Sequence, residues 1–428
     1  MYCRIKSPIS QILAQNKVAD ESSDVGGGTR DNKQMDWSEL PPELIETISR
    51  SLTIYTDYLH SRAVCHTWRS SIPKTPKNLP PQLPWLMLPQ SQSNQSRRAF
   101  FNLSTNKSHL LNLPEVSYPK RHCGSSHGWL IIIDDTPSVL LINPLTRARL
   151  YLPPLSSFPN VVGFNYSDVG REYALQIRLG GRINLSLRQM RDWFIQKVVL
   201  SSSPLKDDNF VAVAILNQTG DLAYCRNGDK SWSLIENART YSEDVIYYNG
   251  MFYAVNKTGQ IAVCDVSGES PRVSIIETPR QIGGDMQYLV SSGDELLLVT
   301  RFLDVEYEFD HPDMEPHLFY RTTRFDVLRL DLNGPRWLSM RSLGDKALFI
   351  GENSSLSLSA SDFPGCMANC IYYTNDYSDT NADGHVGEHD FGIFKLRDDS
   401  TEPLPCYPRN SNSPSQWSSA LWVSPNPY

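Results

Sequence analysis

The sequence predicts a multidomain protein in which a small all-α unit precedes an all-β propeller. Three features indicate this fold class: a helical pattern over residues 36–73, a proline-rich stretch after it, and short apolar runs separated by Gly, Asn, Asp and Ser. The length of 428 residues is enough for two or three domains. We expect a disordered head at 1–35, a connector at 74–82 and the propeller at 83–424.

Composition and charge exclude two classes of partner. The chain has 40 Lys and Arg against 47 Asp and Glu, a net charge of -7 and a pI near 5.8, so it has no bulk basic field for phosphate backbones. The longest apolar runs, such as 129–133 and 211–216, are far shorter than the roughly 20 residues that span a bilayer. We therefore expect neither nucleic acid nor a membrane as a partner.

The cysteines and the N-terminal residues indicate the compartment. The eight cysteines form no CxxC pair, and the first residues lack the apolar stretch of a secretory signal. We therefore expect reduced thiols and a location in the cytoplasm, the nucleus or both. The alternative is an organellar transit peptide, because residues 1–19 contain Arg4, Lys6 and Lys17 but no acid before Asp20.

The segment 36–73 has the pattern of three short helices. Pro41 and Pro42 can open a helix, since a first-turn residue makes no intrahelical use of its N–H. One apolar stripe follows at helical spacing: Leu44, Ile45, Ile48 and Leu52. A second apolar set comes after a turn-like Thr56-Asp57: Leu59, Val64, Cys65 and Trp68. A unit this small buries too little surface to be stable alone, so it should dock on a partner or, alternatively, pack on its own domain.

This segment resembles the F-box. The matching residues are Trp37, Leu40, Pro41, Leu44, Ile45, Ile48, Leu52, Asp57, Arg62, Val64, Cys65, Trp68 and Arg69. Tyr58 and His60 depart from the leucine and the basic residue that many plant members carry around Leu59. The resemblance implies binding to a Skp-type adaptor. The residues expected in that interface, or in the small core that shapes it, are Leu40, Pro41, Leu44, Ile45, Ile48, Leu52 and Trp68.

The remainder of the chain predicts a closed β-propeller. Apolar hairpins recur, and the spacing from Gly250 to Gly293 is 43 residues, within the range of about 40 to 50 for propeller blades. Stacked four-stranded sheets bury each other's faces around an axis and leave only short edges. We expect six blades, with Ala420–Val423 completing the first one beside Trp85–Leu88 and one helix at Leu187–Gln196. A pair of β-sandwiches or an open array is the alternative.

A second resemblance covers about residues 83–424. It rests on CGSSHGWLIII at 123–133, NPLTRARLYLP at 143–153 and HDFGIFKL at 389–396, which are similar to the propeller domain of a large plant F-box family. Together the resemblances imply a substrate-recognition subunit of a Skp–cullin–F-box ubiquitin ligase. The helical segment would bind the adaptor, and through it a cullin, while the propeller would bind a protein substrate. No cofactor, metal or catalysis is implied.

Two alternatives remain open: a propeller enzyme or small-ligand binder, and an interaction scaffold outside any ligase. Gly124–Gly128 matches the GxSxG pattern of hydrolases, in which the serine stands on a turn between a strand and a helix. Here Trp129–Ile133 is a strand-like run, so we expect a tight turn and no catalysis at Ser126.

Residues 379–390 match the spacing of a calcium-binding loop. The matching positions are Asp379, Asn381, Asp383, Gly384 and Asp390. Asp390 reaches less far than the usual glutamate, and both flanks are strand-like, so we expect a solvated hairpin tip and no dependence on calcium. A transition-metal site at His385, Glu388 and His389 would need a helix, which a glycine-containing loop does not supply.

The insertion at 304–317 contains six acidic residues and no Lys or Arg. Blocks of like charge usually form solvated loops. The sequence therefore predicts a loop, which could also present a negative surface to a basic partner segment.

Overall fold

The computed structural model describes ten stretches of the chain. They are residues 37–77, 79–89, 96–117, 120–177, 180–217, 219–280, 283–308, 317–376, 390–406 and 420–428. The predicted disordered head at 1–35, most of the calcium-like loop at 379–389 and the tip of the acidic insertion at 309–316 lie outside the described residues.

Three helices lie in the segment for which the sequence predicts helices. They are α1 (Pro42–Ser51), α2 (Tyr55–Arg62) and α3 (His66–Ser71). Pro42 occupies the first turn of α1, where a missing N–H costs no helical hydrogen bond. Glu43 in the first turn and Arg50 in the last turn complement the helix dipole. Short 3-10 turns lie at Trp37–Glu39, Pro114–Val116, Leu155–Ser157, Glu236–Ala238 and Ala360–Asp362.

Residues 37–72, the helical unit, enclose a small apolar core. Its buried members are Ile45, Tyr58, Trp68 and Ile72. Partly buried residues pack against them: Leu40, Ile48, Leu52 and Cys65. So few buried side chains offset little chain entropy, and the unit therefore depends on the segments with which it is in contact.

The rest of the described chain consists almost entirely of β-strands. In chain order they are β1 (Trp85–Met87), β2 (Arg97–Asn102), β3 (Lys107–Asn112), β4 (Arg121–Ser126), β5 (Trp129–Ile133), β6 (Val139–Ile142), β7 (Arg149–Leu152), β8 (Val161–Phe164), β9 (Tyr173–Gln176), β10 (Arg182–Leu185), β11 (Ile195–Leu200), β12 (Val211–Leu216), β13 (Asp221–Arg226), β14 (Ser233–Leu234), β15 (Asp244–Tyr248), β16 (Met251–Val255), β17 (Ile261–Asp265), β18 (Arg272–Ile276), β19 (Met286–Ser292), β20 (Glu295–Glu308), β21 (His317–Asp331), β22 (Arg336–Met340), β23 (Lys346–Ile350), β24 (Leu356–Ser359), β25 (Cys370–Tyr373), β26 (Gly392–Lys395), β27 (Ser400–Glu402) and β28 (Leu421–Val423).

These strands form seven sheets, which we number in chain order. Sheet I has the strand order β28-β1-β2-β3, sheet II β4 to β7, sheet III β10-β9-β8, sheet IV β11 to β14, sheet V β15 to β18, sheet VI β19 to β22 and sheet VII β24-β23-β25-β26-β27. The described pairings are antiparallel, except that β23 and β25 run parallel. Sheet III differs from the others because it has three strands.

Apolar clusters join each sheet to the next one. Separate clusters connect sheets I and II, sheets IV and V, sheets V and VI, and sheets VI and VII. The largest cluster connects sheets II and IV and includes sheet III. A further cluster connects sheet VII back to sheet I, where Trp422 packs edge-on against Phe349 at a ring distance of 5.1 Å. This mutual burial of faces gives the chain a propeller-like arrangement.

The last strand completes the first sheet, as the sequence predicts. β28 pairs antiparallel with β1, and the register places Trp85 opposite Val423 and Leu86 opposite Trp422. Both strands are buried along their whole length. Residues more than 300 positions apart in the chain thus share one sheet. Strands of three residues are stable only when packing covers both of their faces, as it does for β1 and β28.

Strand β11 of sheet IV replaces the end of the helix that the sequence predicts at Leu187–Gln196. The structure has a single α-turn at Leu187–Gln189, a π-helical stretch at Met190–Phe194 and then β11 from Ile195. Ser186 caps the turn by accepting a hydrogen bond from the Gln189 amide. The predicted helix is too long because Ile195, and the apolar residues after it in β11, are buried between sheets.

Most of the acidic insertion outside its tip is strand, so the predicted loop is wrong for 304–308. β20 and β21 extend beyond the rest of sheet VI and pair with each other as a ribbon, in which Asp304 lies opposite Arg321. A register shift occurs between Phe302 and Leu303. The Leu303 amide donates to Asp285 Oδ2 over 2.7 Å, which fixes the base of the ribbon.

Candidate functional site

The predicted adaptor-binding residues differ in how deeply they are buried. Ile45 and Trp68 are buried in the core of the helical unit. Pro41 and Leu44 are exposed. The others are half-buried against that core: Leu40, Ile48 and Leu52. Only the exposed and half-buried members can therefore contact another chain without unfolding the unit.

The helical unit also exposes several large apolar side chains, which we call the exposed apolar set. Its members, with the exposed fraction of each side chain, are Trp37 (36%), Leu44 (51%), Leu59 (39%) and Val64 (54%). Single exposed apolar residues are common on proteins. Four of them lie within the 36 residues of the helical unit.

Three hydrogen bonds hold the unit in its shape. The Trp68 indole N–H donates to the Trp37 carbonyl oxygen over 2.9 Å, which fixes the first turn on the core. The Tyr58 phenol donates to the Pro73 carbonyl over 2.7 Å, and Arg62 Nε donates to the Ile72 carbonyl over 3.2 Å. Trp68 thus positions Trp37 in addition to filling the core.

The connector is bonded to the helical unit through Gln82. Its side-chain amide donates to the Thr53 and Pro80 carbonyl oxygens, each over 2.8 Å. Its carbonyl oxygen Oε1 accepts from the Tyr55 amide over 3.0 Å, at the start of α2. This side chain is buried, so its donor and acceptor are both used within the protein.

The GxSxG match is a β-hairpin turn, as expected. Ser126 ends β4 and is buried, and its hydroxyl accepts a hydrogen bond from the Leu200 amide over 3.1 Å. His127 and Gly128 form the turn to β5, with φ of +51° and +84°. No helix follows the serine, so the hydroxyl is not presented on a nucleophile elbow.

Asp390, the described end of the calcium-like loop, already accepts hydrogen bonds from other residues of the protein. One oxygen of Asp390, Oδ2, accepts from Arg301 Nη2 over 2.8 Å and from the Thr322 amide over 2.7 Å. The other predicted ligands lie outside the described residues, as do His385, Glu388 and His389. Within the described stretches, no group of three or more His, Cys, Asp or Glu is arranged to hold a metal ion.

A buried group of charged side chains, the inner charged cluster, is a feature that we did not predict. Its members are His122, Lys197, Asp244, Arg301, Glu352, Asp376 and Asp390. His122, Lys197 and Asp244 lie on β4, β11 and β15, which pack against one another as the first strands of their sheets. The cluster therefore lies where neighbouring sheets meet.

Arg301 is the most constrained member of the cluster. Its side chain is 0% exposed. It pairs with Asp376 over 3.0 Å and Asp390 over 2.8 Å, and it donates to Thr322 Oγ1 over 2.7 Å. Its guanidinium carbon stands 4.9 Å from the centre of the Tyr373 ring. Arg301 comes from sheet VI and Tyr373 from sheet VII, so the guanidinium joins the two sheets.

Two further polar contacts join distant parts of the chain. Lys197 Nζ lies 2.7 Å from Asp244 Oδ1, and Asp244 Oδ2 accepts from the Leu289 amide over 2.9 Å, which links sheets IV, V and VI. Burial raises the pKa of Asp244, and Lys197 opposes that shift. His122 Nδ1 lies 2.8 Å from Glu352 Oε2. The Lys197–Asp244 pair and the His122–Glu352 contact join distant parts of the chain, so the cluster braces the propeller.

The cluster gives the stability a defined pH dependence. Burial raises the pKa of the Asp376 carboxyl from 3.8 to about 6, against the opposing effect of Arg301. A raised folded-state pKa favours the protonated native form, so the contribution of this carboxyl is full below about pH 4 and is lost as pH rises through about 6. We expect the unfolding free energy to fall by about 3 kcal/mol over that interval relative to Asp376→Asn.

Urea denaturation of both proteins at several pH values between about 4 and 8 measures this difference. Asp376→Asn is the control for the unaltered protein, because the asparagine side chain does not titrate. Parallel pH profiles for the two proteins would contradict the role assigned to Asp376.

Within the described residues, the helices are all too short or too polar to cross a membrane. The cysteines described there are all free thiols: Cys65, Cys123, Cys225, Cys264, Cys366, Cys370 and Cys406.

The fold and the site define a β-propeller protein with a separate helical unit before the propeller. The model of the KIB1-4 β-propeller family matches residues 100–395, and the chain belongs to that family of plant F-box proteins. F-box protein SKIP23 of Arabidopsis thaliana is 30% identical over 413 residues, which cover 90% of this chain and 95% of that protein. F-box protein At2g17036 of the same plant is 27% identical over 411 residues, with 90% and 95% coverage.

Proposed function

We propose that this protein is the substrate-recognition subunit of a Skp–cullin–F-box ubiquitin ligase. In this proposal the helical unit is the F-box and binds a Skp-type adaptor, which connects it to a cullin. The observation that carries the proposal is the exposed apolar set on a unit with its own buried core. The relatives named F-box proteins support it, because their similarity covers the helical unit together with the propeller.

The residues of the helical unit divide into two roles. Ile45 and Trp68 shape the unit from within, since both are buried. Pro41 and Leu44 contact the adaptor directly, because both are exposed. Truncation of either side chain should weaken binding without opening the core of the helical unit. Half-buried residues belong to the edge of the interface: Leu40, Ile48 and Leu52.

The proposed mechanism is tethering rather than bond chemistry. The propeller binds a protein substrate while the helical unit binds the adaptor, so the substrate lysines stay near the ubiquitin-charged enzyme. Such a tether replaces a rare encounter by a high effective concentration. The protein itself then needs no cofactor, metal or catalytic residue. We place its action in the cytoplasm, the nucleus or both, with neither nucleic acid nor a membrane as a partner.

We also propose the domain limits on which this mechanism depends. The F-box spans 36–73, the connector 74–82 and the propeller 83–424. Sheets I, II, IV, V, VI and VII are the six blades, and sheet III is an insertion between the second and the third. The apolar clusters that join these sheets in sequence, and sheet VII to sheet I, support this count.

Removal of residues 417–428 tests whether the six proposed blades form a closed ring. The deletion takes away β28, which leaves the edge of β1 unpaired and uncovers the apolar faces against which Trp422 packs. We expect the shortened protein to aggregate and to melt at a lower temperature, measured by light scattering and calorimetry. A cooperative transition at the unchanged temperature would favour an open array or two sandwiches.

The experiment that tests the proposed function is a titration of the whole protein with a purified Skp-type adaptor. A complex of micromolar affinity or tighter is expected, which corresponds to at least about 8 kcal/mol of binding free energy. A folded protein without measurable adaptor binding would overturn the ligase assignment. Capture of partner proteins by that same folded protein would then favour an interaction scaffold.

A further inference from the structure

We propose that Tyr428 is a positioning residue that holds the helical unit in one orientation on the propeller. It belongs to the segment Ser424–Tyr428, which follows β28 and reaches from the propeller to the connector. Its backbone is bonded to the propeller and its phenol to the connector. One residue thus joins the two parts of the protein.

The backbone end of this link lies in a pocket of buried donors. A main-chain oxygen of Tyr428 accepts from Trp129 Nε1 over 2.8 Å, from Ser203 Oγ over 2.6 Å and from Asn143 Nδ2 over 3.1 Å. All three donor residues are buried. Trp129 lies on β5 and Asn143 follows β6 in sheet II, whereas Ser203 follows β11 in sheet IV. Donors from two neighbouring sheets therefore converge on one oxygen.

Asn426 fixes the path of the segment before it reaches Tyr428. Its side-chain amide donates to the His127 carbonyl over 2.7 Å, and its Oδ1 accepts from the Tyr428 amide over 3.0 Å. The segment passes so close to Gly128 that a Cβ there would lie 2.5 Å from the Asn426 Cβ. Gly128 also has a φ of +84°, which favours glycine. The second glycine of the GxSxG match thus serves this close approach.

The phenol end of the link is bonded to the connector. The Tyr428 hydroxyl donates to the Pro76 carbonyl oxygen, and the Leu79 amide lies 3.5 Å from that hydroxyl. Pro76 is buried although Lys74 and Lys77 beside it are exposed. The connector is in turn bonded to the helical unit through Gln82, and Pro73, which directly precedes the connector, accepts from the Tyr58 phenol. A continuous set of hydrogen bonds therefore runs from the propeller to α2.

The functional consequence rests on the proposed function. A proline-rich connector is only semi-rigid, so without a further contact the adaptor-bound unit could still change its orientation relative to a substrate on the propeller. With the phenol on Pro76, the helical unit and the propeller keep one separation, and that separation then sets the effective concentration of substrate lysines at the transfer site. Tyr428 then acts through geometry and contacts neither adaptor nor substrate.

Trypsin cleavage of the connector tests this role in the 428-residue chain. Tyr428→Phe removes the hydroxyl but keeps the backbone bonds, so the propeller should keep its melting temperature. We expect cleavage after Lys74 and Lys77 to be about three- to tenfold faster, because the loss of one hydrogen bond raises the population of the open connector by that factor. Tyr428→Ala should give a larger increase. Tyr151→Phe, which alters an exposed tyrosine of β7, is the matched control and should match the unaltered protein.

Equal cleavage rates for the unaltered protein, Tyr428→Phe and Tyr428→Ala would overturn the proposal. So would faster cleavage throughout the propeller, since that pattern would mean a purely structural role for Tyr428. Cleavage is measured without adaptor, so its outcome is independent of whether the helical unit is an F-box. Tyr428→Phe should also bind adaptor with unchanged affinity while pulsed-EPR distances between labels on α1 and on the propeller broaden.

Discussion

Arg301→Met is expected to lower the free energy of unfolding by about 3 to 5 kcal/mol. The substitution keeps most of the side-chain volume but leaves the carboxylates of Asp376 and Asp390 buried without their cation. A buried charge without a partner costs several times more than the loss of a surface pair. Thr322 also loses the Nε donor of Arg301. Urea denaturation of the purified protein measures the change.

Arg329→Met is the matched control for this prediction. Arg329 lies on β21 in the same sheet as Arg301, and it pairs with Glu295 over 2.8 Å, but both side chains are more than two-fifths exposed. Exposed pairs contribute about 0 to 1 kcal/mol, so this variant should change little. Adding Asp376→Asn and Asp390→Asn to Arg301→Met should restore much of the lost stability. Equal effects of the two arginine variants would refute the bracing role.

Leu44→Ala is expected to weaken adaptor binding about thirtyfold, which corresponds to the roughly 2 kcal/mol that a central apolar anchor contributes. Leu44 is half exposed on α1, and alanine is a good helix former, so the helical unit should stay folded. Isothermal titration with a purified Skp-type adaptor measures the affinity. The paired variant Leu40→Ala and Pro41→Ala should give a loss of similar size.

Leu332→Ala is the control for Leu44→Ala, since Leu332 is an exposed leucine between β21 and β22, outside the helical unit. It should leave adaptor affinity unchanged. Ile45→Ala offers the opposite comparison, because a buried isoleucine truncated to alanine costs about 2 to 5 kcal/mol of stability and should unfold the helical unit. Unchanged affinity of Leu44→Ala would remove α1 from the interface.

Local signals were enough to predict the helical unit and the strand pairing of the first sheet. Pro42 and the apolar spacing of α1 are contained within a dozen residues, and the apolar run at 420–423 is short and isolated. The sequence could not separate Leu44 from Ile45, because both lie on one wide apolar stripe. Packing against α3 decides which of them is buried.

The inner charged cluster could not be predicted from local sequence patterns, because its partners are far apart in the chain. Arg301 binds Asp376 and Asp390, which lie 75 and 89 positions later in the chain. The one local signal was a cation inside the apolar run from Glu295 to Leu303, since a buried strand seldom carries an unpaired charge. Sheet III was not predicted for a different reason. Its strands have four residues each, which is too short to show a clear alternation of apolar and polar residues.

The pairing of β28 with β1 sets the order in which the protein can fold during synthesis. The two strands are separated by more than 300 residues, so the first sheet stays without its inner strand until Val423 has left the ribosome. The contacts within the helical unit are local and can form long before that, whereas sheet I is complete only after its last strand has been made. The helical unit is therefore synthesised first, and the pairing of β28 with β1 is among the last contacts of the chain to form.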